Sequence, residues 1–511
     1  MKYTSFLTVI ATTIALTTWN VADAERLVIL HTNDTHSQIE PDEDSNLGGI
    51  YRRAVIVDSV RAVEKNVLLV DAGDAVQGSL YFNLYGGKVE QMLMDHMGYD
   101  IRILGNHEFD NGADSIAKVM APVRAEMLCS NYDLKDSPLR PLFKRYSVRE
   151  YCGKRIGFMA INIDPEGIIA KGKYDNVEYL DAVETANVVA WWLRNMEYCD
   201  VVVAVTHIGY IGEEGDGDLN LARQSKGIDV IIGGHSHDLI VPGSGKYQWK
   251  VKNAEGKDVI ITQMKSKGRY VGEIDIDLDD LSISNRAIVV DSRLDARIDS
   301  TMVRMVEPYR AGVDSLMTRT PVGKSKRAMA QDSPELLNWA TDVVLQLGSE
   351  MADNVDMAIL NKGGLRRSLP AGTIHEGQVI CTMPFENHIQ VIDIKGSDLL
   401  EAFYVMACID GNGVSKGVEI SYIPGTEENE YKDARVRCAT INGKPIDPEG
   451  TYRVATIDYL AEGGDYMEPL THSTLVASSE HVLYEDVLDY LRNGKGRNKT
   501  IKPDGTVRMH K

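Results

Sequence analysis

Five short apolar runs in the first half of the chain all open into the same kind of residue. LVIL (27–30) is followed by Asp34-Thr35-His36, and VLLV (67–70) by DAGD, which ends at Asp74. IRIL (101–104) is followed by GNHEFD (105–110), VVVAV (201–205) by Thr206-His207, and DVIIG (229–233) by Gly234-His235-Ser236-His237. Runs of near-continuous Val, Ile and Leu read as strands buried on both faces. IGFMAINI (156–163) is another, and helical patterns over 83–96 and 182–196 fall between them. This alternation predicts an α/β domain. In open α/β sheets, sites form beyond the carboxyl ends of the strands. If the chain stays extended there, residues two apart point the same way. Asp34 with His36, and His235 with His237, would then each aim two side chains into one space.

The residues delivered by the strand ends are imidazoles, carboxylates and one amide, without thiolate. Asp34, His36, Asp74, Asn106, His207, His235 and His237 suit a borderline or hard divalent metal such as Zn²⁺ or Mn²⁺. Seven donors exceed one tetrahedral site. They are enough for two metals ~3.5–4 Å apart, an arrangement used in phosphoester hydrolysis. Any one histidine after a strand is ordinarily structural. The joint pattern is not: of seven histidines before residue 240, five lie just beyond an apolar strand. His31 and His96 are expected to be structural.

The rest of the chain sets the frame. VIITQM (259–264) and YVGEIDIDL (270–278) alternate in the manner of antiparallel strands, and residues 295–318 read as a long amphipathic helix before Pro321. The formal net charge is −20. That argues against general binding of nucleic-acid polymer, for which basic surfaces dominate affinity. Any anionic substrate must be met by local Arg or by metal. Lys2, the apolar stretch 6–16 and Ala22-Asp23-Ala24 read as a secretory signal peptide over 1–24. The expected location is therefore periplasmic or extracellular, with no membrane span. Six cysteines, without CxxC, leave disulfide pairing open. Oligomeric state is likewise open.

HTNDTH, DAGD, GNHEFD, THIG and GGHSH, in that order, resemble the calcineurin-like metallophosphoesterases. More narrowly they resemble the 5′-nucleotidase family of periplasmic UDP-sugar hydrolases and ecto-5′-nucleotidases. The second half shares the resemblance through NKGGLR (361–366), PFEN (384–387) and YLAEGGD (459–465). The resemblance implies an α/β chain in which a four-layer αββα sandwich over 25–297 is joined by a linker helix, 298–320, to a C-terminal α/β nucleotide-binding domain, 321–511. It implies that Asp34, His36, Asp74 and His237 hold one divalent metal. Asp74, Asn106, His207 and His235 would hold the second. His107 and Asp110 match the catalytic His–Asp pair. Phe385 and Tyr459 would sandwich the base, with Tyr459 standing where the family usually has Phe. Asn361 would bond the base, Asp465 the ribose and Arg366 the phosphate. The family commonly supplies another Arg early in this domain, for which Arg327 is the nearest candidate. The expected activity is hydrolysis of nucleoside 5′-monophosphates. UDP-sugar hydrolysis and 2′,3′-cyclic nucleotide cleavage are alternatives within the same chemistry, and a catalytically silent nucleotide-binding protein is the alternative outside it.

Overall fold

The computed structural model describes residues 25–42, 45–212, 216–426 and 433–511. The expected signal segment lies outside them. Each predicted strand of the first half is present. Arg26–Thr32, Val67–Asp71 and Ile101–Ile103 lie parallel and adjacent in one seven-stranded sheet. Lys154–Asn162, Val201–His207 and Val230–Ile232 lie parallel and adjacent in a second.

Side-chain alternation stacks these sheets face to face. Leu27 and Ile29 point into one buried layer with Val201, Val203 and Val205 of the other sheet. Val28 and Leu30 point the opposite way, against Ile50 and Val57 of helix Ile50–Arg61 and Leu93 of helix Lys88–Met97. Val202 and Ala204 meet Ala186, Val189 and Leu193 of helix Ala182–Asn195. Because successive residues of a strand face opposite sides, a strand covered on both faces must be apolar throughout. The result is the expected four-layer αββα sandwich.

Two local expectations are corrected. The helical pattern over 83–96 is two helices, Leu80–Tyr85 and Lys88–Met97. Gly86 and Gly87 separate them at φ of 59° and 86°, left-handed conformations that end a right-handed helix. Strand Asp258–Met264 is parallel to Val230–Ile232, though antiparallel to its other partners, Lys250–Lys252 and Leu239–Ile240. Strand Tyr270–Asp277 is antiparallel to both neighbours, as its alternation predicts.

The long helix runs from Ser300 to Thr318, capped by the Asp299 carboxylate, which accepts from the Thr301 amide. Met302 and Val306 are buried with the first core, whereas Leu316 and Met317 pack against the second. That second core is built on a five-stranded sheet in the order 413–414, 357–360, 451–457, 388–395, 474–482. Leu336, Ala340 and Val344 of helix Pro334–Met351 belong to it, as do Leu399 and Phe403 of helix Gly396–Cys408.

Phe158 lies wholly inside the layer between the two large sheets. Phe158→Ala should cost about 3–5 kcal/mol through lost burial and a residual cavity, read as a lowered urea midpoint at unchanged slope.

Candidate metal and phosphoester site

The five strand ends converge. His36 Nε2 lies 2.9 Å from His237 Nε2, and His237 Nε2 lies 3.3 Å from Asp34 Oδ1. On the other side His207 Nε2 is 3.3 Å from Asp74 Oδ2 and 3.9 Å from Asp34 Oδ1. His36 Nε2 and His107 Nε2 each lie 4.0 Å from Asp74 Oδ2. Among the described residues, donor atoms within 4.8 Å of one another form three overlapping groups: Asp34, His36 and His237; Asp34, Asp74 and His207; His36, Asp74 and His107. His235 sits at the edge of the cluster, its Nδ1 3.0 Å from Asn106 Oδ1.

The extended-chain expectation for the two Asp/His pairs is corrected. Asp34, His36, Asp74, His235 and His237 all have positive φ, between 46° and 74°. Non-glycine residues rarely adopt this left-handed region, and where they do the surrounding structure holds them there. Here backbone bonds between the loops do so. The Asp34 amide donates to Gly73 O at 2.9 Å, and the His36 amide to Asp74 O at 3.0 Å. The His235 amide donates to the Asp34 carboxylate at 3.0 Å, and the His107 amide to Asp74 Oδ1 at 2.9 Å. As a result His235 and His237 diverge, one toward Asn106 and the other toward His36.

Close backbone approach needs glycine at one further point. A Cβ on Gly105 would lie 2.2 Å from Asp74 Oδ1 and 2.6 Å from the Asp74 nitrogen.

The donor set fits divalent cations. His207 Nδ1 is 2.7 Å from the Ala72 carbonyl oxygen, which only accepts, so Nδ1 donates there. Its Nε2 is left buried without a hydrogen-bond partner among the described residues, facing Asp74. A carbonyl that fixes the ring and its tautomer in this way is a recurrent support for a metal-bound histidine. The nitrogens of His36 and His237, facing each other among carboxylates, are also arranged as ligands would be. His31 joins none of these groups. It is buried against Gly272 and Thr262, and burial pushes its pKa down to about 3. His96 is on a helix surface, 3.7 Å from Asp299.

His107 Nδ1 lies 3.1 Å from Asp110 Oδ2, so the expected pair is formed. Burial disfavours the charged imidazole, but the carboxylates of Asp110 and then Asp74 outweigh it and raise the His107 pKa above its ordinary value. Gln77 Nε2 donates to the same Asp110 oxygen at 2.7 Å.

The second domain supplies the opposite wall. A cavity of about 280 Å³ is bounded by Asn106, His107, Asp110 and His235 on one side. Asn361, Arg366, Phe385, Tyr459 and Asp465 bound it on the other. Arg366 Nη2 comes within 3.4 Å of His36 Nε2. The Phe385 ring stacks on His107 at 5.6 Å between centroids and 29° between planes. Asp465 is held at both oxygens, by Asn361 Nδ2 and by the Tyr459 hydroxyl, each at 2.8 Å. The hydroxyl that distinguishes Tyr459 from Phe thus has a partner. Asn361 Oδ1 is buried with no hydrogen-bond partner among the described residues.

Arg327 is not in this cavity. Its Nη2 donates to Pro503 O at 3.2 Å, because strand Pro321–Ser325 carries the segment to another edge of the domain. The cation that sequence reasoning passed over is Arg367, next to Arg366. It donates across the domain boundary to Gln38 Oε1 at 3.1 Å and to Gly78 O at 3.3 Å. Glu108 was also passed over, although it stands inside GNHEFD. Its carboxylate accepts from the amides of Asp74 at 3.0 Å, Ala75 at 2.9 Å and Gly105 at 2.6 Å. Burial, then repulsion from Asp74, pushes its pKa up to about 7. Gln77 carries no sequence signal of its own.

Comparison with known proteins matches both halves of the chain. Residues 27–239 match the calcineurin-like phosphoesterase family, and residues 316–472 match the 5′-nucleotidase C-terminal domain. An apyrase of Tabanus yao is 29% identical over 487 residues, 86% of each chain. A 5′-nucleotidase of Rattus norvegicus is 26% identical over 527 residues, 93% of this chain and 90% of that one. The crystal structure of a 5′-nucleotidase precursor from Thermus thermophilus superposes with a TM-score of 0.83 at 29% identity, over 95% of this chain and 99% of the other. These matches define a metal-dependent phosphoric monoester hydrolase. The chain belongs to the 5′-nucleotidase family, within the calcineurin-like metallophosphoesterases.

Glu108→Ala would leave three backbone amides without their acceptor and release the Asp74 loop. Metal affinity, measured by titration with Mn²⁺ or Zn²⁺, should fall by ~10–100-fold, the range for residues that support metal ligands. The far-ultraviolet circular dichroism should stay unchanged.

Proposed function

We propose that this chain is an exported, dinuclear 5′-nucleotidase that hydrolyses nucleoside 5′-monophosphates to nucleoside and phosphate. The observation that carries the reading is the shared cavity: metal-type donors and the His107–Asp110 pair form one wall, and aromatic and polar side chains suited to a nucleoside form the other. We divide the chain into a catalytic domain (25–297), a linker helix (298–320) and a substrate-binding domain (321–511). Export rests on the sequence of residues 1–24. No helix among the described residues is long and apolar enough to cross a membrane.

In this reading Asp34, His36, Asp74 and His237 would hold one cation, and Asp74, Asn106, His207 and His235 the other, with Asp74 shared. Bound there, two divalent cations supply Lewis-acid polarisation of the phosphoryl group and an activated water. The protein's own groups do the rest. Arg366 offers a planar fork to the phosphate oxygens. His107, whose pKa the neighbouring Asp110 helps to raise, steadies the charge that builds on the phosphoryl group and passes a proton to the departing ribose oxygen. Asp465, locked by Asn361 and Tyr459, accepts from ribose hydroxyls, and the unpaired Asn361 oxygen accepts from the base. Phe385 and Tyr459 stack on the base, an interaction worth ~1–3 kcal/mol per base.

Phe385 rests on His107 here. A base that uses the same aromatic face must separate the two rings, which supports a hinge motion between the domains during turnover. A rigid cross-link between the domains should therefore stop hydrolysis, whereas unimpaired turnover would count against that motion.

Incubation with AMP, UDP-glucose and 2′,3′-cyclic AMP, with and without chelator, tests the assignment. Metal-dependent phosphate release is expected from AMP. Formation of UMP and glucose 1-phosphate from UDP-glucose, or of adenosine monophosphate from the cyclic substrate, with no phosphate released from AMP would give the activity to the alternatives, and AMP binding without hydrolysis would make the chain a binding protein. His107→Ala should keep its metal and lose ~10²–10⁴-fold in kcat, the contribution of a positioned acid.

A further inference from the structure

A second cavity, of about 440 Å³, lies in the C-terminal domain and shares no lining residue with the catalytic one. Lys324, Arg492, Arg497 and Lys499 all line it, and among the described residues no acidic or aromatic one does. Strand pairing creates this concentration of charge. Residues 321–331 contain Lys324, Lys326 and Arg327 and no Asp or Glu. Residues 492–503 contain Arg492, Lys495, Arg497, Lys499 and Lys502, again without an acid. Strand Pro321–Ser325 runs parallel to Thr500–Ile501, with Lys324 beside Thr500, so the two acid-free segments lie side by side. Arg492 is neutralised by Glu376 at 2.7 Å, and Lys495 approaches Glu350 at 3.4 Å. Among the described residues, no ion pair is formed by Lys324, Arg497 or Lys499.

Lys324, Arg497 and Lys499 are exposed, and like charges gathered round a concave space in a chain of net charge −20 make a local positive field that attracts anions. The lack of an aromatic ring argues against a nucleobase, and Thr373 and Thr500 add polar lining. We propose that this cavity is a second anion site, which takes a small phosphate-class oxyanion at a place separate from catalysis.

Equilibrium dialysis of inorganic phosphate against the metal-loaded full chain tests this. The wild type should bind two equivalents. The triple variant Lys324→Gln, Arg497→Gln, Lys499→Gln should lose one of them, with at least a tenfold fall in its affinity, while AMP hydrolysis measured at low phosphate is unchanged. Arg366→Ala should weaken the other equivalent and spare this one. Lys499→Gln alone should weaken the same equivalent, and it provides the measurement if the triple variant folds poorly. Raising NaCl should release this phosphate progressively. A single wild-type equivalent that responds only to Arg366→Ala would overturn the proposal. So would charge-dependent binding to phosphatidylserine vesicles without a second phosphate equivalent, which would make the basic edge a membrane-facing surface.

Discussion

Two buried carboxylates side by side are the constraint on which the rest of the structure depends. Asp34 and Asp74 are both almost completely shielded from solvent, and His207 reaches toward both. Buried charge is costly unless it is paired and hydrogen-bonded. Here imidazoles crowd round the two acids, and backbone amides of His235 and His107 donate to them. The loops are further tied to one another through Gly73 O, Asp74 O and the Glu108 carboxylate. The two stacked sheets hold the strand ends still, and the left-handed turns aim the side chains. Metal-type chemistry follows from that arrangement because oxygen and nitrogen donors are gathered where water is scarce.

Much of this could be read from the sequence, because strands covered on both faces leave a short unbroken apolar run rich in β-branched residues. The runs at 27–30, 67–70 and 201–205 are of this kind, and their polar continuations mark where the chain leaves the sheet. The way Asp34 and His36 converge was less legible. Spacing of two suggested extended backbone, but both residues are left-handed, held by hydrogen bonds to the DAGD loop that no local pattern records. The break at Gly86–Gly87 was visible as a glycine pair, yet the hydrophobic period runs through it. The parallel pairing of Asp258–Met264 depends on which strand lies beside it, and alternation does not encode a neighbour.

The second domain shows the same limit. Phe385, Tyr459 and Asp465 stand in segments distinctive enough to pick out, and they face the cavity together. Arg327 meets the expectation only in its position along the chain, whereas Arg367 reaches the domain boundary because the loop carrying Arg366 is aimed there. Glu108 was hidden in plain view. Within GNHEFD its neighbours carry the more obvious chemistry, and its task of gathering three amides becomes apparent only once the loops are assembled.

The helix Ser300–Thr318 has one end embedded in each core, and this makes the two halves thermodynamic partners. Melting either core strips apolar side chains of the helix from their packing and exposes them to water, so the loss spreads to the other half. The chain should therefore behave toward heat more as one cooperative unit than as two beads on a string, even though its two cores are built on separate sheets.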